Sequence, residues 1–333
     1  MALYFYKFLF LFVLMILLLI LNVIFGTIYL PIQEVLTCIF DNNNCNSVFN
    51  NILFQLRLPS ACLAILAGAS LSLSGLLMQT FFKNPIAGPY VLGVSAGASL
   101  GVAILLVVAP QFLINFGSWA QSISAAFGAA SVLAFILILS ININNNSTIL
   151  IIGLMLSSAI SAVVEVLQFT ASANQLQRFL SWTMSGVQSA NWVEVQITAL
   201  VLSGCLFLAF SQSKNLNLLL LGRNYAISSG LNYNQTRFIL FLCTALLAGT
   251  VTAFCGMVAF VGMGVPPLAR WWFRTASHYI LIVAVLLIGA NVLLFCQFVA
   301  NLISYNQTVP LNALTSLFGL PFILWFIYKN KQL

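Results

Sequence analysis

The chain has 333 residues, of which 62% are hydrophobic and only 5% charged, and its formal net charge is +7. A soluble domain carries about 25% charged residues, so an ordinary wet surface is excluded. The basic residues stand singly at the ends of apolar runs, the pattern that sets membrane topology, and do not form a nucleic-acid-binding surface.

Apolar runs of about 20 residues, the length a helix needs to cross a bilayer, recur from end to end. They lack the alternation of outer-membrane barrel strands. The reading is an all-α, polytopic membrane protein, residues 1–333 in a single transmembrane domain, a bundle of about ten helices. Residues 8–28 follow Lys7 and are too long for the apolar region of a signal peptide; no Ala-x-Ala site follows, so they read as the first membrane helix. A polar segment with Glu34, Cys38, Asp41 and Cys45 comes next, and on an oxidising side Cys38 and Cys45 are candidates for a disulfide. Cys62, Cys205, Cys243, Cys255 and Cys296 lie in apolar runs and read as small buried hydrophobes. Further helices are expected near 58–78, 91–109, 120–141, 149–170, 192–212, 237–255, 257–270, 279–297 and 312–328.

With Lys7 inside, Lys83, Lys214, Arg223, Arg237, Arg270, Arg274, Lys329 and Lys331 fall inside, and only Arg57 and Arg178 fall outside. That bias follows the positive-inside rule and puts both termini in the cytoplasm. Residues 238–269 carry no charge between two arginines that both belong inside. At 1.5 Å per residue one helix would be about 48 Å long, too long for one crossing and too short for two. A full helix followed by a short returning one, broken around Gly256, Gly262 and Gly264, fits both ends, and broken helices mark functional regions in transporters.

Residues 57–101 carry the densest motif: Arg57-Leu58-Pro59, Ser74-Gly75 with Gln79, Asn84-Pro85-Ile86-Ala87-Gly88-Pro89, then Gly93, Gly97 and Gly101 spaced four apart. Small residues at that spacing share a helix face and let backbones approach closely in lipid. In order and in register, these elements resemble the permease subunits of ABC importers for iron-siderophore, haem and vitamin B12. LGRNYAISSGL at 221–231, AFVGMGVPPLAR at 259–270 and PLNALTSLFGLPF at 310–322 extend the resemblance. Five positions depart from it. Arg223 stands for an acidic residue and Pro267 for His. Gln297 stands for an acidic residue, Asn301 for a basic one, and Ser60 for the second arginine of the first motif.

The resemblance implies a multi-pass protein of the bacterial cytoplasmic (inner) membrane. A second copy of the chain would complete the translocation path. Two ATP-binding cassette ATPase subunits beneath would use ATP and Mg, and a periplasmic or lipid-anchored binding protein would deliver substrate. An iron-siderophore is the favoured substrate, with haem and cobalamin as alternatives. The chain itself is expected to bind no cofactor and to be no enzyme: no Gly precedes any Lys, so a GxxxxGK[ST] phosphate loop is absent. Its one histidine, His278, allows neither a multi-histidine metal site nor a His-based triad and reads as structural or interfacial.

The resemblance assigns coupling to the ATPase to Gly222, Arg223, Ala226 and Gly230, carried on two short cytoplasmic helices. Ala226 is expected to be small enough for close approach, and Arg223 to meet an acid on the ATPase. A cytoplasmic gate falls on Asn84, Pro85, Ile86, Asn146 and Ser147. Arg57 is expected to dock the binding protein. From the residues themselves, Glu165, an ionisable group within an apolar run, and Gln168 on the same helical face are candidates for the path. The rival class is a secondary transporter driven by an ion gradient, for which only Glu165 supplies a membrane-embedded charge.

Overall fold

A computed structural model describes residues 2–26, 31, 33, 35, 37–38, 47–111, 118–140, 143, 145–184, 186–303 and 309–329, and among them all regular structure is helical. Lipid offers no partners to backbone N–H and C=O groups, so apolar runs of this length close their hydrogen bonds internally as helices.

Helix α1 spans Ala2–Ile24. A short helix, Ser47–Asn51, continues through a π-helical stretch, Ile52–Arg57, into α2, Leu58–Phe82. A 3-10 turn at Pro89–Leu92 leads to α3, Val94–Val107. Then come α4 (Ser118–Ser140), α5 (Asn146–Thr170), α6 (Ala173–Thr183) and α7 (Trp192–Ser211). The short helices α8 (Ser213–Leu221) and α9 (Arg223–Ser228) precede α10 (Tyr233–Cys255). The chain closes with α11 (Val261–Phe273), α12 (His278–Ile303) and α13 (Leu311–Lys329). Among the described residues seven helices are long and apolar enough to cross a membrane, and α3 is a shorter apolar one.

The sequence did not announce α6. Its start is a capping box in which the Ser172 N–H donates to Gln175 Oε1 at 2.8 Å, and Gln175 Nε2 donates to the Leu106 carbonyl at the end of α3. The break between α10 and α11 lies at Gly256–Phe260, and Gly262 and Gly264, expected at the break, lie inside α11. Gly256 (φ 71, ψ −154) takes a conformation open chiefly to glycine. Cys38 is disulfide-bonded; Glu34, Asp41 and Cys45 lie outside the described residues.

Helix α2 occupies the centre, buried all round from Ala67 to Phe82 and surrounded by α1, α7, α10, α11 and α12. Contacts there are backbone to backbone. A Cβ on Gly68 would lie 2.2 Å from the Gly289 carbonyl of α12, and one on Gly75 would lie 1.7 Å from the Gly262 carbonyl of α11. The second contact follows from the Pro266-Pro267 pair within α11. Prolines have no N–H, so the carbonyls of Gly262 and Met263, four residues back, lose their helical donors. Both turn to α2. The Gly262 carbonyl packs on Gly75, and the Met263 carbonyl accepts from Gln79 Nε2 at 2.9 Å.

Asparagines join α1 to α12. Asn22 Nδ2 donates to the Leu294 carbonyl at 3.0 Å and Asn291 Nδ2 to the Leu11 carbonyl at 3.0 Å. At the other end of α1, Lys7 Nζ donates to the Trp272 carbonyl in the last turn of α11 at 2.5 Å and lies over the Phe273 ring.

Candidate functional site

The predicted gate and coupling residues meet at one end of the bundle. Lys83 closes α2 with a left-handed backbone (φ 51). Asn84 then folds an Asx turn, its Oδ1 accepting the Ile86 N–H at 3.0 Å, and Pro85 and Ile86 are left exposed. At the start of α5, Asn145 Oδ1 caps the Ser147 N–H at 3.0 Å. Asn146 does more. Its Nδ2 donates to the Phe81 carbonyl of α2 at 2.7 Å, and its Oδ1 accepts the Tyr233 hydroxyl of α10 at 2.6 Å. Three helix ends are thereby joined through one side chain. Arg237, 6% exposed, donates to the Ser140 carbonyl at 2.6 Å and closes the end of α4.

The segment read as a coupling element folds as two short helices, α8 and α9, that turn at Gly222 (φ 119, ψ 156) and leave at Gly230 (φ 88). Two side chains there take places other than those expected. The Arg223 guanidinium carbon lies 4.8 Å from the Tyr233 ring centroid, a cation–π stack against this chain's own α10. Ala226 is fully buried, because its methyl faces the core side of α9, so it cannot be the point of approach for a partner. The large apolar residues that α8 and α9 present outward are Leu220, Leu221, Tyr225 and Ile227. Arg223 thus links α9, through Tyr233, to Asn146 at the start of α5.

Along the candidate path, α5 packs its Ile149, Gly153, Ile160 and Val164 face against the protein, on α3, α4, α2 and the 3-10 turn. Glu165 lies on the open side with Leu154, Met155, Ser158, Val166 and Phe169, and Gln168 is half-buried. Helix α3 beneath it meets α4 at backbone distance: a Cβ on Gly97 would lie 2.5 Å from the Gly128 carbonyl, and one on Gly101 would lie 2.1 Å from the Ser124 carbonyl. Gly93 has a different task, a left-handed turn (φ 73) into α3 against Ser157 and Val132.

At the opposite end Arg57 is not offered to a partner. It is 8% exposed and its Nη1 donates to the Val23 carbonyl, while its guanidinium packs on Gly26. The last carbonyls of α1 lack helical donors, and this arginine supplies one. The three nearby departures from the family pattern hydrogen-bond nearby. Gln297 Nε2 donates to Ser60 Oγ at 3.2 Å, Ser60 Oγ to the Arg57 carbonyl at 2.9 Å, and Asn301 Nδ2 to Asn22 Oδ1 at 3.3 Å. Where the resemblance implies charge, this chain has a neutral hydrogen-bonded set.

Residues 14–329 match the FecCD transport family. The chain belongs to that family. It is 32% identical over 293 residues to the hemin transport system permease protein HmuU of Yersinia pestis, a match covering 87% of each chain. To the vitamin B12 import system permease protein BtuC of Vibrio parahaemolyticus it is 30% identical over 313 residues, covering 93% of this chain and 92% of that one. Among solved structures, one described as an inward-facing metal-chelate type ABC transporter superposes with a TM-score of 0.83 at 26% identity, over 97% of this chain and 99% of the other. The protein is therefore a multi-pass FecCD permease, a transport component. In this FecCD chain, the Pro267 departure has a visible consequence, since it frees the Met263 carbonyl that Gln79 then holds. Sequence reading quoted Gln79 in the first motif without a structural role and passed over Tyr233, which joins Arg223 to Asn146. A polar group inside a fully buried helix was the available signal for Gln79.

Proposed function

We propose that this chain forms the translocation path of an ATP-driven importer in the bacterial inner membrane, as a homodimer above two ATP-binding cassette ATPases and below a substrate-binding protein. The chain crosses ten times, by α1, α2, α3, α4, α5, α7, α10, α11, α12 and α13, with both termini cytoplasmic. The nine-to-two distribution of basic residues supports that topology. One observation carries the reading: α8 and α9 hold four apolar side chains outward, with Leu221 63%, Tyr225 55%, Ile227 46% and Leu220 38% exposed, at the end where the basic residues predict cytoplasm. A patch of that kind on short rigid helices suits a cleft in a partner. Ile86 and Asn146 at the same end form the gate, and the open face of α5 with Glu165 lines the path against the second copy. The favoured substrate is an iron chelate, in line with the metal-chelate type neighbour; haem and cobalamin, named for the two relatives, are the alternatives.

The test is reconstitution in proteoliposomes with the cognate ATPase and binding protein, followed by uptake of a ferric siderophore, haemin, cyanocobalamin and molybdate. Uptake of the ferric siderophore that requires ATP is expected. Uptake driven by an ion gradient without ATP would reverse the assignment in favour of a secondary transporter, and ATP-dependent uptake of another compound alone would replace the substrate.

A further inference from the structure

The chain's single histidine stands in the middle of an unbroken line of hydrogen bonds from α8 to α11. His278 is fully buried at the first position of α12. Its backbone N–H has no acceptor within its own helix. The acceptor comes from α8: Asn217 Oδ1 lies 3.0 Å from that N–H and 2.7 Å from His278 Nδ1. An amide oxygen only accepts, so Nδ1 carries the proton and Nε2 is the acceptor. Nε2 lies 2.8 Å from Thr80 Oγ1 of α2, whose one proton it shares with the Leu76 carbonyl, also at 2.8 Å. Arg270 of α11 then reaches Thr80 Oγ1 at 3.4 Å and Gln79 Oε1 at 2.8 Å, and Gln79 Nε2 reaches the Met263 carbonyl at 2.9 Å. Four helices, α8, α12, α2 and α11, are joined by one line. It ends on the carbonyl that Pro267 left without a helical donor.

We propose that His278, held by Asn217 and Thr80, is the positioning residue that transmits displacement of α8 by the ATPase to α11. The proposal rests on the importer reading above. The remaining buried contacts of α8 come from Leu216 and Leu219, and apolar contacts slide without loss of directional bonds. The polar line does not slide. His278 is fully buried, so a shift of α8 alone would strand its backbone N–H and its Nδ1–H. Moving α12, α2 and α11 together keeps every bond, and such buried networks respond as a unit. The exposed patch at Leu221 is where force would enter, and the broken α10–α11 segment is where it would arrive.

The experiment uses the full complex of permease dimer, ATPase and binding protein in nanodiscs, with a spin label at Ile86 of each copy. The distance between labels is measured with and without vanadate-trapped nucleotide. Thr80→Val keeps shape and removes the hydroxyl; His278→Phe removes both ring nitrogens; Thr80→Ser restores the hydroxyl. We expect both disruptive variants to assemble and to hydrolyse ATP within about twofold of the parent, while the vanadate-induced distance change shrinks at least about fivefold, and Thr80→Ser to recover it. A parental distance change in Thr80→Val and His278→Phe overturns the proposal, as does a loss that only follows the amount of assembled complex. The parental complex judges the importer reading separately: its failure to bind the ATPase or to respond to vanadate would overturn that reading whatever the variants do.

Discussion

Gly75→Ala probes the contact between α2 and α11 with one added methyl. A Cβ at this position would lie 1.7 Å from the Gly262 oxygen, 2.6 Å from its carbonyl carbon and 2.9 Å from its Cα. All three are backbone atoms, so no side-chain rotation relieves the clash. Carbon–oxygen contacts settle at about 3.3 Å, so α11 must retreat by about 1.5 Å. A retreat of that size takes the Gln79–Met263 bond from 2.9 Å beyond bonding range. Overpacking costs about 1–3 kcal/mol and a stranded buried amide about as much again, while alanine's helix propensity returns about 1 kcal/mol. The expected net loss is about 1–5 kcal/mol. It is measured by SDS titration of the protein in mixed micelles, followed by tryptophan fluorescence. Gly204→Ala in α7 is the internal control, since nothing lies within 4 Å of its Cβ position. That variant should be neutral or slightly stabilised. If Gly75→Ala unfolds at the same SDS fraction as Gly204→Ala, the close contact between α2 and α11 is wrong.

Arg57→Ala should destabilise the fold by about 1–3 kcal/mol by removing the donor to the Val23 carbonyl; unfolding at the parental SDS fraction, with weakened binding-protein affinity alone, would restore the docking role. Tyr233→Phe loses the bond to Asn146 but keeps the ring under Arg223, so it should cost about 1 kcal/mol, and Tyr233→Ala should cost more in the same titration. Leu221→Ala with Tyr225→Ala should reduce ATPase co-purification at least about tenfold while the permease stays folded; full co-purification would move the docking surface elsewhere. The isolated permease should release no phosphate from ATP in a malachite-green assay, and turnover free of contaminating ATPase would contradict its place as a subunit without a nucleotide site.

Length and apolarity made most long helices legible, because lipid leaves the backbone few alternatives. The break between α10 and α11 was legible for a numerical reason, an uncharged stretch that fits neither one crossing nor two. Helix α6 was not, because it is short and polar, and its Ser172–Gln175 capping box is a two-residue signal. The site was legible by segment but not by neighbour. The motif around 221–231 pointed to α8 and α9, yet which side of α9 Ala226 occupies depends on packing that no local pattern encodes. The docking role of Arg57 came from the resemblance alone, and its bond to the Val23 carbonyl of α1, 34 positions earlier, has no local sequence signal. That Gln79, 184 positions away from Met263, takes the carbonyl freed by Pro267 is encoded in no local pattern.

The asparagine bonds between α1 and α12 also govern the order in which the molecule can be completed. Asn22 bonds a carbonyl 272 positions further on, and the Leu11 carbonyl accepts from a residue 280 positions on. Ribosomes add about 5–20 residues per second, so roughly 15–55 s pass between synthesis of the two partners. Through that interval Asn22 has its own Leu18 carbonyl, and the inner face of α1 lacks its main seat, α12. A nascent chain stalled after α10 would expose that face and its amide to the insertion machinery and to membrane proteases. Helix α1 enters the bilayer well before α12, and its docking onto that helix waits for at least 272 residues of translation.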